Sequence, residues 1–135
     1  MHMLSTVCLF FLCCHFSYAG RHWLPSDEEV DMAYACLNMA FPTTRSPIQI
    51  VSRIDSAIFD PREDKTTLEF LAADSTCTPE MLAEGIDQRS CEEVGDSTLG
   101  NYKYFTCTVR KTQQGYQPTG NFRPARQNDM LEIDG

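Results

Sequence analysis

The sequence has no apolar run long enough to cross a bilayer and only one tryptophan, and it sets 11 Lys and Arg against 19 Asp and Glu. A spanning helix needs about 20 apolar residues in a row. The longest mostly apolar stretch, Met3 to Phe16, falls short of that and is followed by Ser17-Tyr18-Ala19, a small-x-small pattern. No Lys or Arg precedes Arg21, so His2 and the terminal amine are all that stands in for a basic leader segment. Residues 1–19 are therefore read as a secretory signal peptide removed on export, with an uncleaved anchor as the alternative. The rest is expected to be soluble and extracellular, without stable membrane insertion. The leader holds no charged side chain, so the net charge of −8 belongs wholly to residues 20–135. So little clustered positive charge argues against a nucleic-acid binder and against a partner of anionic membrane surfaces. In itself the acidity means solubility.

Cysteine is scarce once the leader is set aside. Cys8, Cys13 and Cys14 leave with it, and Cys36, Cys77, Cys91 and Cys107 remain. No C-x2-4-C pair exists among the four, which removes the usual zinc spacing. Histidine is scarcer still: only His22 lies beyond the leader, so a nucleophilic cysteine has no general base in the body of the chain. No enzyme activity, metal or cofactor is expected. Four cysteines in a short secreted chain read first as disulfides, with three connectivities.

Residues 20–135 suit one domain. "SDEEVDMAYACLNMAF" opens on Ser26 as N-cap with Glu29 completing a capping box. Asp27, Glu28 and Glu29 lie at the positive end of the helix dipole. Val30, Ala33, Tyr34, Leu37, Ala40 and Phe41 recur at helical spacing, and Pro42 ends the pattern. "IQIVSRIDSAIF" then alternates, with Ile48, Ile50, Ile54 and Ile58 expected on one face and Gln49, Arg53 and Asp55 on the other. Its length predicts a bulge or bend. A turn at Asp60-Pro61 leads to a second strand in "TTLEFLAADSTC", with Leu68 and Phe70 on one face. In "STCTPEMLAEGIDQRSC", Thr78 and Pro79 read as a cap and first turn, and Gly85 as a stop. "NYKYFTCTVRK" is a third strand rich in aromatic and β-branched residues. From Thr112 onward Gln, Gly, Pro and Asn dominate, and residues 112–135 are read as a mobile tail, residues 20–25 as a mobile N-terminus. The expected class is α+β: one N-terminal helix packed across a small antiparallel sheet, its apolar face against the isoleucines of the first strand.

The leading helix, the long strand, "TLEFLAADSTC" and the succession Cys77, Cys91, Cys107 together resemble the cystatin superfamily. Within it they are most similar to the cathelicidin pro-domain and bone-matrix secreted phosphoprotein branch. The resemblance spans about residues 26–111. It implies a cystatin-like, disulfide-stapled fold in which Cys77 and Cys91 bridge a loop beside the sheet. The family's third cysteine, matched by Cys107, pairs with a fourth on a final strand, but no cysteine comes after Cys107 here and Cys36 on the helix is extra. A Cys36–Cys107 bridge resolves this; two free thiols, or one pairing between chains, are the alternatives.

Inhibitory cystatins carry a Q-x-V-x-G hairpin, and "QIVSR" matches it at Gln49 and Val51 but sets Arg53 where glycine allows close backbone approach. The Pro-Trp hairpin is missing, since the one tryptophan is Trp23. The resemblance thus implies a secreted, non-enzymatic scaffold of binding or host-defence type whose partner is an extracellular protein. The stretch after Thr112 is a poor antimicrobial cargo, with Arg123 and Arg126 against Asp129, Glu132 and Asp134. Arg110-Lys111 is either a processing site or the close of a strand. Two other readings remain: an inhibitor of papain-like cysteine proteases with a degenerate motif, and a diverged paralogue without retained activity.

Overall fold

The computed structural model describes residues 24–95 and 98–131. The expected leader and Trp23 lie outside the described residues. Helix α1 runs Asp27–Ala40 and is followed by β1 (Gln49–Asp60), β2 (Lys65–Asp74), a short helix α2 (Pro79–Ala83), β3 (Tyr102–Thr112) and β4 (Gly115–Pro124). The strands form one antiparallel sheet in the order β1-β2-β3-β4. The architecture is α+β, one helix across a four-stranded meander, with two disulfides.

The start of α1 is set by local chemistry. Ser26 Oγ accepts from the Glu29 amide at 3.1 Å and Glu29 Oε1 accepts from the Ser26 amide at 2.8 Å. Two N–H groups that the helix cannot satisfy internally are thereby paired. The helix lays Ala33, Cys36 and Leu37 onto Leu68, Phe70 and Ala72 of β2 and Phe105, Cys107 and Val109 of β3. Leu37, Leu68 and Phe70 are fully buried, each contributing about 1.5–3 kcal/mol over exposure. Aromatic rings continue this core outward: Phe70 stacks on Phe105 at 4.8 Å, and Phe105 on Phe122 of β4 at 5.2 Å.

The face assignment of β1 differs from the expected one. Its pairing with β2 slips twice, between Val51 and Arg53 and between Ile54 and Ser56. Each slip inserts one extra residue and so reverses which face the next side chains meet. Ile48 and Ile50 therefore belong to a second cluster with Leu71, Ala73, Tyr102 and both ends of the Cys77–Cys91 bridge. Val51, Ile54 and Ala57 take the helix side instead, and Ile58 is left 66% exposed. Two bulges, not a continuous isoleucine face, fit the strand to the helix.

The expected mobile tail is also corrected. Residues 115–124 pair with β3 along its whole length, from Thr112 opposite Gly115 to Lys103 opposite Pro124. The turn between the strands is only Gln113-Gln114, closed by Gly115 at φ +116°. Beyond β4, Ala125 is buried and a 3-10 turn runs Gln127–Met130. Arg110 lies between Lys65 of β2 and Gln117 of β4, and Lys111 pairs with Tyr116. This dibasic stretch belongs to β3: Arg110 is paired on both sides and Lys111 on one, while both side chains are exposed.

Candidate functional site

The stretch singled out by its sequence, Gln49-Ile50-Val51-Ser52-Arg53, forms the first half of β1 and sits far from any hairpin tip. The β1–β2 turn lies at Asp60–Lys65, where Asp60 Oδ1 accepts from the Arg62 amide at 2.9 Å and Asp64 holds φ +52°. Each residue of the matched motif is committed to the fold. Gln49 is 1% exposed. Its Nε2 donates to Asp74 Oδ1, and its main-chain oxygen accepts from Gln88 Nε2 at 2.8 Å. Gln88 and Asn38 also exchange side-chain hydrogen bonds at 2.8 and 2.9 Å, so the cysteine loop is tied to both α1 and β1. The Val51 amide donates to Tyr34 Oη at 3.3 Å. Burial raises the Tyr34 pKa, and the Val51 hydrogen bond works in the opposite sense. At the first bulge, Ser52 Oγ donates to Glu93, whose other oxygen accepts from Tyr102 Oη at 2.9 Å.

Arg53 faces the side of the sheet opposite α1. Its Nε donates to Asp55 at 2.5 Å, and its two terminal nitrogens reach the main-chain oxygens of Asp129 at 2.5 Å and Leu131 at 3.0 Å. Asp55 also accepts from Tyr104 Oη at 2.6 Å. Burial, and then this hydrogen bond, raise the Tyr104 pKa. Arg123 stacks over the Tyr104 ring at 5.0 Å and holds Asp129 with both terminal nitrogens, at 2.6 and 3.0 Å. Arg53 is thus the clasp that fastens residues 127–131 across the outer face of the sheet. No glycine could do this.

The clasp should be sensitive to acid. The Asp129 carboxyl is held at about 2, well below its ordinary value, by the Arg123 hydrogen bonds first and by the Arg126 amide at 2.7 Å second. A carboxyl with a lowered folded pKa contributes stability above its unfolded pKa and loses it as pH falls toward the folded one. Stability from Asp129 is therefore full above pH 4 and disappears as pH falls to about 2. The expected readout is a loss of protection at the Arg126 amide across that window, its exchange compared at each pH with that of the unstructured chain, with Asp129→Asn showing low protection throughout.

Val51, Arg53 and Tyr34, with Pro25, Val30, Ser52, Ile54 and Arg89, line a groove of about 430 Å³ between α1 and the outer edge of β1. Its two guanidinium groups are already paired, Arg53 with Asp55 and Arg89 with Asp31 at 2.6 Å. The groove therefore offers little net charge to a ligand. Among the described residues, no group of three or more His, Cys, Asp or Glu is placed to hold a metal ion, and no helix is long and apolar enough to cross a membrane.

The four cysteines among the described residues form two bridges: Cys77–Cys91 with Cα atoms 5.8 Å apart, and Cys36–Cys107 at 6.4 Å. The first closes the loop over the outer-face cluster. Within it Thr78 Oγ1 accepts from the Met81 amide at 3.2 Å, capping α2, and Gly85 at φ +107° ends it. The second ties α1 to the central strand β3. The residue of β4 opposite Cys107 is Gly120. A Cβ there would stand 2.3 Å from the Thr106 oxygen and 2.7 Å from Cys107 Cα. The two backbones meet too closely for any other residue. Neither Gly120 nor the partners of Gln49 and Arg53 stand out in the sequence. The one usable signal for β4 was "KTQQGYQ", a two-residue turn closed by glycine.

Comparison of the chain with protein-family models, with curated proteins and with solved structures finds no match.

Proposed function

We propose that this protein is a secreted, non-catalytic domain of the cystatin and cathelicidin-like type that binds a protein partner and does not inhibit papain-like proteases. The observation that carries the reading is the commitment of the Q-x-V-x segment to β1, with Gln49 and Ile50 buried and Val51 and Ser52 half-buried. Gln49 is enclosed within β1, and Val51 and Arg53 are engaged by Tyr34, Asp55 and the carbonyls of residues 129 and 131. Presenting that segment to a protease cleft would require β1 to leave the sheet. The helix laid across an antiparallel meander, with a disulfide loop beside it, supports the resemblance in fold. The bridge from Cys107 to α1, in place of one to β4, separates this chain from the pattern that the resemblance implies.

Two measurements test the reading. The purified oxidised protein should leave papain activity unchanged at micromolar concentration. Inhibition in that range, lost on Gln49→Ala, would overturn the non-inhibitory assignment. Mass spectrometry of protein expressed with its leader should find a mature chain beginning at Gly20, which tests secretion independently.

A further inference from the structure

β4 is an edge strand, and its unpaired backbone groups can be placed by counting. The Ala125 amide donates to the Tyr102 oxygen of β3 at 3.2 Å. In an antiparallel ladder the residues bonded to the partner alternate. Arg123, Asn121, Thr119 and Gln117 therefore face β3 with their backbone groups, and Phe122, Gly120, Pro118 and Tyr116 turn theirs to the open edge. Prolines on an open edge withhold a donor and discourage strand addition. Pro118 and Pro124 both fall in the outward phase, and between them lie two outward amides, those of Gly120 and Phe122.

Beside this short window lies a pocket of about 300 Å³ on the helix side of the sheet. Met39 and Ala40 of α1, the Cys36–Cys107 bridge, Phe105, Gly120 and Phe122 line it. Met39 and Phe122 are 54% and 44% exposed at its mouth. With both cysteines bridged, no lining residue carries a charge, in a chain of net charge −8. The gap exists because Gly120 can bear no side chain: the approach of β4 to β3 forbids one. Directly opposed residues in a sheet project to the same face. A residue pairing with Gly120 from outside would therefore send its side chain over the glycine and into this pocket.

We propose that the β4 edge between Pro118 and Pro124 is a docking site for an extended segment of another protein, which adds as a fifth strand and seats one neutral apolar side chain beside the Cys36–Cys107 bridge. Main-chain hydrogen bonds to Gly120 and Phe122 supply the attachment, and the uncharged pocket selects the side chain, the division of labour usual for strand addition. A charged side chain would lose its hydration with no compensating partner. A second copy of this chain is the poorer occupant, since its own β4 edge carries Pro118 and Pro124 and so offers fewer main-chain donors than an extended segment free of proline. The inference rests on the sheet edge and the pocket, and it holds independently of the family resemblance.

The test uses the 15N-labelled oxidised protein and the capped peptide acetyl-Ser-Thr-Leu-Thr-Ser-amide. At millimolar peptide the Gly120 and Phe122 amides should shift and their hydrogen exchange should slow severalfold. A peptide with Asp in place of Leu, or with the leucine nitrogen methylated, should produce neither change. Met39→Glu in the protein should abolish the response while the rest of the spectrum stays in place. The proposal is overturned if the two amides do not respond. It is overturned equally if the methylated peptide binds as well, which would make the pocket a site for apolar groups without strand addition. Slow exchange that appears with protein concentration alone would mean pairing between copies, and would also overturn it.

Discussion

Removing the Cys36–Cys107 bridge, as Cys36→Ala with Cys107→Ala, is expected to lower the stability of the fold by about 4 kcal/mol, from the loop-entropy relation applied to a separation of 71 residues. The corresponding figure for Cys77–Cys91, separated by 14, is about 3 kcal/mol. The difference between the two is smaller than the difference in what they hold. Cys36 and Cys107 are 1% and 3% exposed, at the point where α1 crosses β3. Their loss frees the helix from the central strand and also empties part of the core. Small domains are stable by only about 5–15 kcal/mol, so this variant should melt far below the parent. Thermal unfolding followed by circular dichroism under oxidising conditions checks both the size and the order. Equal melting of the parent and this double variant would show that the two cysteines are not bridged.

Phe70→Ala should cost about 3–5 kcal/mol, the range for truncating a fully buried phenylalanine. Phe70 is 0% exposed, lies opposite Ile54 on one side and Phe105 on the other, and stacks on Phe105 with the planes 7° apart. It is the innermost ring of the series that runs through Phe105 to Phe122 and Phe41. Truncation leaves a cavity beneath α1 that the bulged β1 is badly placed to fill, because its side chains are already fixed by two register slips. Chemical denaturation of the oxidised protein measures the loss. A change under about 1 kcal/mol would mean that Phe70 is not a core residue.

What could be read from the sequence was local. The capping box of Ser26 and Glu29, the alternation of Leu68 and Phe70, the run from Tyr102 to Lys111 and the cap and stop at Thr78 and Gly85 each depend on neighbours within a turn or a strand. What could not be read was set at long range. The bulges at Ser52 and Asp55 exist because Glu93, Tyr104 and the carbonyls of residues 129 and 131 engage that part of β1 from 41 to 78 residues away. β4 was hidden for a related reason. Two glycines and two prolines make "GYQPTGNFRP" a poor strand by propensity, and the structure accepts each of them at the turn, at the open edge or at the close approach to Cys107. For the candidate site, the alternation of "IQIVSRIDSAIF" already set Gln49 and Val51 in a strand, whereas the groups that hold this segment, from Tyr34 to Leu131, come from distant parts of the chain.

β4 follows the other three strands in sequence, and this bears on how the molecule is made. Phe122 packs against Phe41 just beyond α1 and against Phe105 on β3, so the first helix lacks part of its cover until the last strand arrives. A polypeptide emerges at about 5–20 residues per second. During that interval Phe105, Cys107 and Val109 stand on an open β3 edge, with the thiol of Cys107 next to a helix that is only loosely seated. Synthesis that halts before Pro124 leaves the chain in that state, so an intact β4 is a condition for burying the core.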